Sequence, residues 1–281
     1  MRTHHFEVVH QTLLDEMVIQ RGLDHYNAAY GLAPMYELTA FARNPMNSIV
    51  GGIYGELNWG WLYIDLLWVD AVARRQHHGD KLVTAIEQAA LARGVSQAFL
   101  ATTSFQALPF YYHAGYRLFG VLENRPPGYN YYYLRHHITP VEGHHLPVDD
   151  EPDPDTFAII RRGLADYNRS QGISPDGKRL AVYMRAADDH LFGGLIAATY
   201  WGWLDIQAFW LDKSVRDQGY GRQILQMAEE EAWRRGCHAA VVDVGSFQSL
   251  GFFEACGYTT FATLEDRPPG RTTHFMRKSL I

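Results

Sequence analysis

The sequence predicts an α/β (α+β) chain built as two tandem copies of one domain. Three observations carry this: an internal repeat at a fixed offset, one shared order of strand-like and helix-like segments, and in each copy an apolar strand that enters a helix through a glycine-bearing loop. Trp59-Gly60-Trp61-Leu62 returns as Trp201-Gly202-Trp203-Leu204, an offset of 201 − 59 = 142. The same offset, without a gap, relates Gly79 to Gly221 and Ser104-Phe105-Gln106 to Ser246-Phe247-Gln248. It also relates Gly115-Tyr116 to Gly257-Tyr258 and Arg125-Pro126-Pro127-Gly128 to Arg267-Pro268-Pro269-Gly270. From Trp59 to Arg135, about 30 of roughly 77 positions are identical. Upstream, Gly22-Leu23 and Tyr26-Asn27 return as Gly163-Leu164 and Tyr167-Asn168, at an offset of 141, so one small insertion intervenes. With 281 residues the expected domains are 1–140 and 153–281. The expected linker, 141–152, is acidic, broken by prolines and without apolar periodicity.

In the first copy, residues 13–28 read as a helix with Leu13, Leu14, Met17 and Leu23 on one face. Strand-like runs follow at Tyr36–Arg43 and Ser48–Glu56, joined by Asn-Pro-Met-Asn turn chemistry. Trp61–Val69 is too apolar to have a solvated face and reads as a central strand. From Gly79 to Arg93 the period becomes helical, and Gly94 is a stop signal. Gln97–Thr102 is a strand, Ala107–Ala114 a short helix, and Tyr116–Leu122 and Tyr131–Ile138 closing strands. The second copy repeats the order.

Composition limits the function. Hydrophobic residues make up 47% and charged residues 20%, which suits a packed core and not a disordered chain. No apolar run reaches the ~18 residues of a membrane span, and Met1-Arg-Thr-His-His-Phe does not open like a signal peptide. Two cysteines, Cys237 and Cys256, leave no room for a disulfide framework. The expectation is a soluble cytoplasmic protein with no membrane and no nucleic-acid partner, since net charge is −6 and no basic stripe occurs. A mildly acidic surface favours small cationic substrates such as amines.

At the strand-to-helix loop the second copy reads Arg216-Asp217-Gln218-Gly219-Tyr220-Gly221. A helix that starts at glycines presents unpaired N–H groups and the positive end of its dipole, a seat for a pyrophosphate. Neither the dinucleotide-fold spacing nor the Walker lysine pattern is present. The run matches the Gln/Arg-x-x-Gly-x-Gly/Ala signature of acyl-CoA N-acyltransferases, and here the chain resembles the GNAT superfamily. The first copy has Arg74-Arg75-Gln76-His77-His78-Gly79, with His77 in place of the first glycine. The family's Leu-x-Val strand pattern has counterparts in Leu67-Trp68-Val69 and Phe209-Trp210-Leu211. Its downstream Asn-x-x-Ala-x-x-x-Tyr-x-x-x-Gly-Phe pattern has one in Ser104, Ala107, Tyr111 and Gly115-Tyr116.

The resemblance implies two GNAT-like domains, each with a mixed, mostly antiparallel central sheet flanked by helices. It implies acetyl-CoA as co-substrate, an amine acceptor and direct attack without a protein nucleophile. Acyl-CoA would be held by Leu67, Trp68, Val69, the loop Arg74 to Gly79 with Asp80, and Ser104. The second-copy equivalents are Phe209, Trp210, Leu211, the loop Arg216 to Gly221 with Arg222, and Ser246. The central strand would splay at a bulge, exposing an N–H for the oxyanion. A Tyr hydroxyl four residues before the glycine of the pattern would protonate the leaving thiolate. Tyr111 stands there in the first copy and Phe253 in the second. The copies thus carry opposite departures, and the balance favours the first as catalytic. The other reading of Tyr111, one more packed aromatic, is open at this point.

Asp65 is the candidate proton acceptor, on the face of Tyr63 and Leu67, with Gln207 as its counterpart; Glu56 is a weaker choice. Glu123 and Glu265 beside Arg-Pro-Pro-Gly would shape a loop over the acceptor. Four His-His pairs lack a completing zinc ligand, so no metal is expected. Two other functions fit the same sequence: acetylation of a protein or peptide amine, and non-catalytic acyl-CoA binding.

Overall fold

The structure, a computed structural model, describes residues 4–9, 13–30, 35–151, 154–174 and 176–280. The first copy runs β1 (His4–Val9), α1 (Leu13–Ala28), β2 (Tyr36–Arg43), β3 (Ile49–Asn58), β4 (Trp61–Val69), α2 (His78–Ala92), β5 (Gln97–Thr103), α3 (Leu108–His113), β6 (Arg117–Leu122) and β7 (Tyr131–His137). The second runs β8 (Val148–Asp149), α4 (Pro154–Ser170), β9 (Lys178–Ala186), β10 (Leu191–Tyr200), β11 (Trp203–Leu211), α5 (Tyr220–Arg234), β12 (Ala239–Gly245), α6 (Leu250–Ala255), β13 (Thr259–Glu265) and β14 (Thr272–Ser279). The expected elements are present, their ends shifted by a residue or two. Strand β1 was not expected, and β8 lies inside the expected linker.

Two seven-stranded sheets result, ordered β6-β7-β5-β4-β3-β2-β8 and β1-β9-β10-β11-β12-β14-β13. Each is antiparallel except where β4 meets β5 and β11 meets β12. Each sheet takes its edge strand from the other copy. β1 pairs with β9 from His4↔Ala186 to Val9↔Ala181, while β8 pairs with β2 at Thr39↔Asp149 and Ala40↔Val148. The first helices follow their strands: α1 packs on β10 and β11, and α4 on β3 and β4. The lobes therefore cut across the contiguous segments 1–140 and 153–281.

This exchange explains residues that the copies share. A Cβ on Gly22 would fall 2.3 Å from the Trp210 ring, and one on Gly163 would fall 2.2 Å from Trp68, so only glycine lets each helix lie on its strand. Tyr26 Oη donates to Phe247 O at 2.9 Å and Gln248 Nε2 to Asn27 Oδ1 at 3.0 Å. Tyr167 repeats the first bond onto Phe105 O, and Gln106 the second onto Asn168, at the same distances. Expectation and structure differ on the face of α1. Leu14 is 79% and Met17 48% exposed, and the buried side is Ile19 with the partly buried Leu23. The side chain of Leu13 lies outside what is described. The helix is buried by the other copy's sheet, which its own sequence does not announce.

Trp59-Gly60 and Trp201-Gly202 form the two-residue turns of the β3–β4 and β10–β11 hairpins, with φ of 54°, 77°, 53° and 75°. Positive φ at both turn positions matches the right-handed twist of the strands. Trp61 Nε1 then donates to Asp266 O at 3.2 Å and Trp203 Nε1 to Asn124 O at 3.4 Å, each reaching the Arg-Pro-Pro-Gly loop of the other copy. The main cores lie under α2 and α5, on the opposite face of each sheet from α4 and α1.

Candidate active site

Both central strands split from their parallel neighbours. β4 pairs with β5 only at Leu62↔Ala98, Tyr63↔Phe99 and Ile64↔Leu100. On its other side the register shifts: Tyr54 faces Leu66 but Gly55 faces Ile64, leaving Asp65 as the extra residue of a bulge. β11 does the same, pairing with β12 only from Trp203 to Ile206, with Gln207 as the bulged residue. Leu67-Trp68-Val69 and Phe209-Trp210-Leu211 thus lie on strand segments with no strand partner on the split side. Exposed backbone donors at such a split can pair with an extended amide-bearing chain or with a developing oxyanion.

The bulge changes which residues share a face. Leu67 packs with Leu62 and Ile64 against α2, while Tyr63 stacks on Phe99 on the other face. Asp65 therefore shares its groove with Tyr63 and not with Leu67, because one extra residue inverts the alternation.

Beyond the split, each loop follows the same path. Asp70 Oδ1 accepts from Val72 N at 2.9 Å and Asp212 Oδ1 from Ser214 N at 2.8 Å. Arg74 Nε donates to Val69 O at 3.1 Å and Arg216 Nε to Leu211 O at 2.8 Å. Gln76 donates to Val72 O and Gln218 to Ser214 O, both at 3.0 Å, so these side chains brace the turn. Residues 75 and 217 have φ of 61° and 60°; His77 has 61° where Gly219 has 86°. A non-glycine residue there costs about 1–2 kcal/mol, and the His77 ring also bonds Asp80 at 2.9 Å. The first N–H bonds onto the helix starts are Lys81 to His77 O and Gln223 to Gly219 O. The amides of His78, Gly79 and Asp80, and of Tyr220, Gly221 and Arg222, are thereby left pointing forward. A Cβ on Gly219 would meet nothing within 4 Å, whereas Cβ atoms on Gly79 and Gly221 would touch Phe110 and Phe252 at 3.2 and 3.3 Å. The forward amides and this open space fit a pyrophosphate. Ser104 and Ser246 hydroxyls are engaged by Asn130 N and Thr272 N at 3.1 and 3.2 Å, closing the loop ahead of β7 and β14.

Tyr111 sits on α3 in the core that includes Leu67, with its ring edge-on to Phe110 and Tyr116. Burial pushes its hydroxyl well above the usual phenol range, so it stays protonated. Phe253 holds the same place in the second copy, 6.3 Å from Phe209.

The grooves differ most across the sheet. In the first copy Glu37 faces Glu56 directly, Glu56 faces Tyr63, and Asp65 follows at the bulge. Tyr54 Oη donates to Glu56 at 3.0 Å and Tyr63 Oη to Asp65 at 3.3 Å. Burial pushes the Glu56 carboxyl up against the Tyr54 hydrogen bond, with Asp65 and Glu37 adding to the rise. The Asp65 carboxyl is raised chiefly by desolvation, with Tyr63 and Arg161 opposing. Asp65 is nonetheless reached by solvent, as befits the floor of an open groove. In the second copy the equivalents are Arg179, Ala198 and Gln207, and Arg179 is paired with Glu16 of α1 at 3.2 Å. Sequence reading did not name Glu37 or Tyr54, whose placement beside Glu56 depends on strand register. Glu123 and Glu265 do not pair with the neighbouring arginines; Arg125 binds Asp205 of the other copy, and Arg267 reaches Asp243 at 3.5 Å.

The Acetyltransferase (GNAT) family profile matches residues 8–116 and again 144–258. The chain belongs to the GNAT acetyltransferase family. An acetyltransferase of Agrobacterium fabrum is 31% identical over 131 residues, 47% of this chain and 96% of the relative. Blasticidin-S acetyltransferase of Streptomyces morookaense is 35% identical over 134 residues, 47% of this chain and 93% of that one. A crystal structure of an acetyltransferase from Bacillus cereus is 30% identical, with a TM-score of 0.44, over 47% of this chain and 96% of that one. GNAT acetyltransferases use acyl-CoA, and each of these relatives has the length of one copy. No helix among the described residues is long and apolar enough to cross a membrane.

Proposed function

We propose that the protein moves an acetyl group from acetyl-CoA to the primary amine of a small cationic molecule, and that transfer occurs in the groove of the first copy. The observation that carries this is the row Glu37–Glu56–Asp65. Two carboxylates directly opposed across strands repel one another, and a bound cation turns that repulsion into attraction. The second copy has no such row. The name of the Streptomyces relative, which specifies a small molecule, supports the same acceptor class.

The amine arrives as a cation and must lose a proton before it attacks. Asp65, with its raised carboxyl and open position, takes that proton, assisted by Glu56. Backbone N–H groups of the unpaired segment Leu67–Val69 receive the oxyanion as the amine adds to the thioester carbonyl. The C–S bond breaks, Tyr111 donates its proton to the departing thiolate, and the second proton of the attacking nitrogen leaves the adduct to restore the Tyr111 hydroxyl. The amides at the start of α2 hold the pyrophosphate. The second copy, with Phe253 and Gln207, serves as an acyl-CoA-binding or structural partner. Its helix α4 walls the first copy's groove through Phe157, 4.7 Å from Tyr54.

Thiol release from acetyl-CoA over a panel of amines tests the reading. Di- and polyamines are expected to turn over, and Glu56→Gln is expected to raise their KM. Turnover confined to neutral peptides, or none with any amine, would refute it.

A further inference from the structure

A second cavity lies where the two lobes meet, about 230 Å³ in volume. It is built from repeat-related positions, Tyr63 with Asp205 and Arg125 with Arg267, so it straddles the pseudo-twofold axis. Both arginines are buried, at 3% and 6% exposure, and both line the cavity. Arg125 gives Nη2 to Asp205, while its Nε and Nη1 have no partner. Arg267 holds Asp243 only at 3.5 Å, and its Nε is also without one. Buried guanidinium donors left unpaired are costly, and they call for an acceptor in the space they face. The acids are less enclosed: Asp205 is 30% and Asp243 49% accessible, and both border the cavity. Two arginines and two aspartates sum to no net charge, with Arg125 bonded to Asp205 and the Arg267–Asp243 pair looser at 3.5 Å. The remaining wall is apolar, partly aromatic through Tyr63, Phe99, Tyr133 and Phe275 and partly aliphatic through Ile206, Val241 and Val242.

A lone anion would leave the site with net negative charge and a lone cation with net positive charge. A ligand carrying one charge of each sign leaves it neutral. A volume of about 230 Å³ suits an amino acid. We infer that the lobe junction binds a small zwitterion of the amino-acid type, its carboxylate on the free donors of Arg267 and Arg125, its ammonium toward Asp243, and an apolar side chain among the aromatic rings. This is a binding site and not the transfer site, and it goes beyond the proposed reaction. Tyr63 separates the two, with its ring on the cavity and its hydroxyl on Asp65.

Calorimetric titration of the full chain with L-phenylalanine, 3-phenylpropionate and phenethylamine tests it. Phenylalanine is expected to bind, and each analogue, lacking one charge, to bind at least about tenfold more weakly, as for loss of one charge-assisted hydrogen bond. Asp243→Asn, with folding verified by urea unfolding in the same preparation, is expected to weaken phenylalanine by a similar factor. Arg267→Lys, which keeps the charge and loses the fork, is expected to weaken it too. Tyr111→Phe, which cripples transfer, is expected to leave this binding unchanged, so the two proposals stand or fall separately. No heat with phenylalanine, equal affinity for all three compounds, or acetylation of the bound phenylalanine by acetyl-CoA would overturn the inference.

Discussion

The two grooves share a backbone and differ in what lines it. β4 and β11 split from their neighbours at the same residue of the repeat, bulge at the same residue, and enter helices through superimposable loops. Only the first carries opposed acids, a bulged carboxylate and a buried Tyr on α3; the second carries Arg179, Ala198, Gln207 and Phe253. Positions kept identical serve architecture, because each is used twice. Gly22 and Gly163 seat the exchanged helices, Tyr26 and Tyr167 latch them, and the Trp-Gly-Trp turns touch the opposite lobe. Positions that diverge line the two grooves, to which the proposed function gives different tasks.

The sharpest way to break this comparison is Tyr111→Phe. Removal of a general acid lowers kcat by about 10²–10⁴, while Phe253→Leu is expected to leave kcat unchanged; steady-state thiol release reads both. Next is the acidic row. Glu56→Gln is expected to raise KM for a diamine by about tenfold, the loss of one charge-assisted bond of roughly 1.5–3 kcal/mol, and Asp65→Asn, which removes the proton acceptor, is expected to lower kcat by about 10²–10⁴. Arg179→Gln in the second copy is expected to do nothing. Because both carboxyls titrate above the ordinary range, the acid limb of kcat/KM is expected above the usual carboxylate value of about 4, with activity lost as pH falls through it.

A smaller effect falls on stability. Gly163→Val drives a side chain into Trp68 and is expected to cost about 1–3 kcal/mol in urea unfolding, with Gly22→Val costing the same against Trp210. Only the first is expected to raise acceptor KM. Smallest is the pH response of Glu87, buried with Tyr116 Oη at 2.7 Å and pushed up to about 7. Its folded-state value lies above its unfolded one, so its contribution is full at low pH and is lost as pH rises to about 7. Glu229, the counterpart, has Lys278 at 2.6 Å, while the position of Lys278 is His136 in the first copy. Glu87→Gln is expected to flatten the fall in melting temperature between pH 5 and 8.

Local signals made most elements legible. Apolar periodicity marked α2 and the glycine loop marked the strand-to-helix passage, whereas the Trp-Gly pairs were legible as repeat markers and not as the hairpin turns they form. What escaped was set by partners distant in sequence. The buried face of α1 is chosen by Trp210, and β1 exists because β9 needs an edge partner. The site showed the same limit. Asp65 was legible as a charge in an apolar strand, whereas Glu37 and Glu56 become a pair only through the β2–β3 register. Arg125 and Arg267 find their aspartates by tertiary placement, with Asp205 lying 80 residues from Arg125.

The measurement that bears most directly on the division between the copies is turnover in Gly219→Trp. The space beside Gly219 is open, so the indole fills the seat proposed for the pyrophosphate without meeting the core, and the φ of 86° at this position adds a backbone cost of about 1–2 kcal/mol. Folding is verified by urea unfolding in the same preparation. Acetyl transfer to a diamine is predicted to persist at the rate of the unmodified chain while calorimetry loses any acetyl-CoA site in the second copy. A folded Gly219→Trp chain that no longer transfers acetyl groups would place the reaction in the second copy and contradict the account.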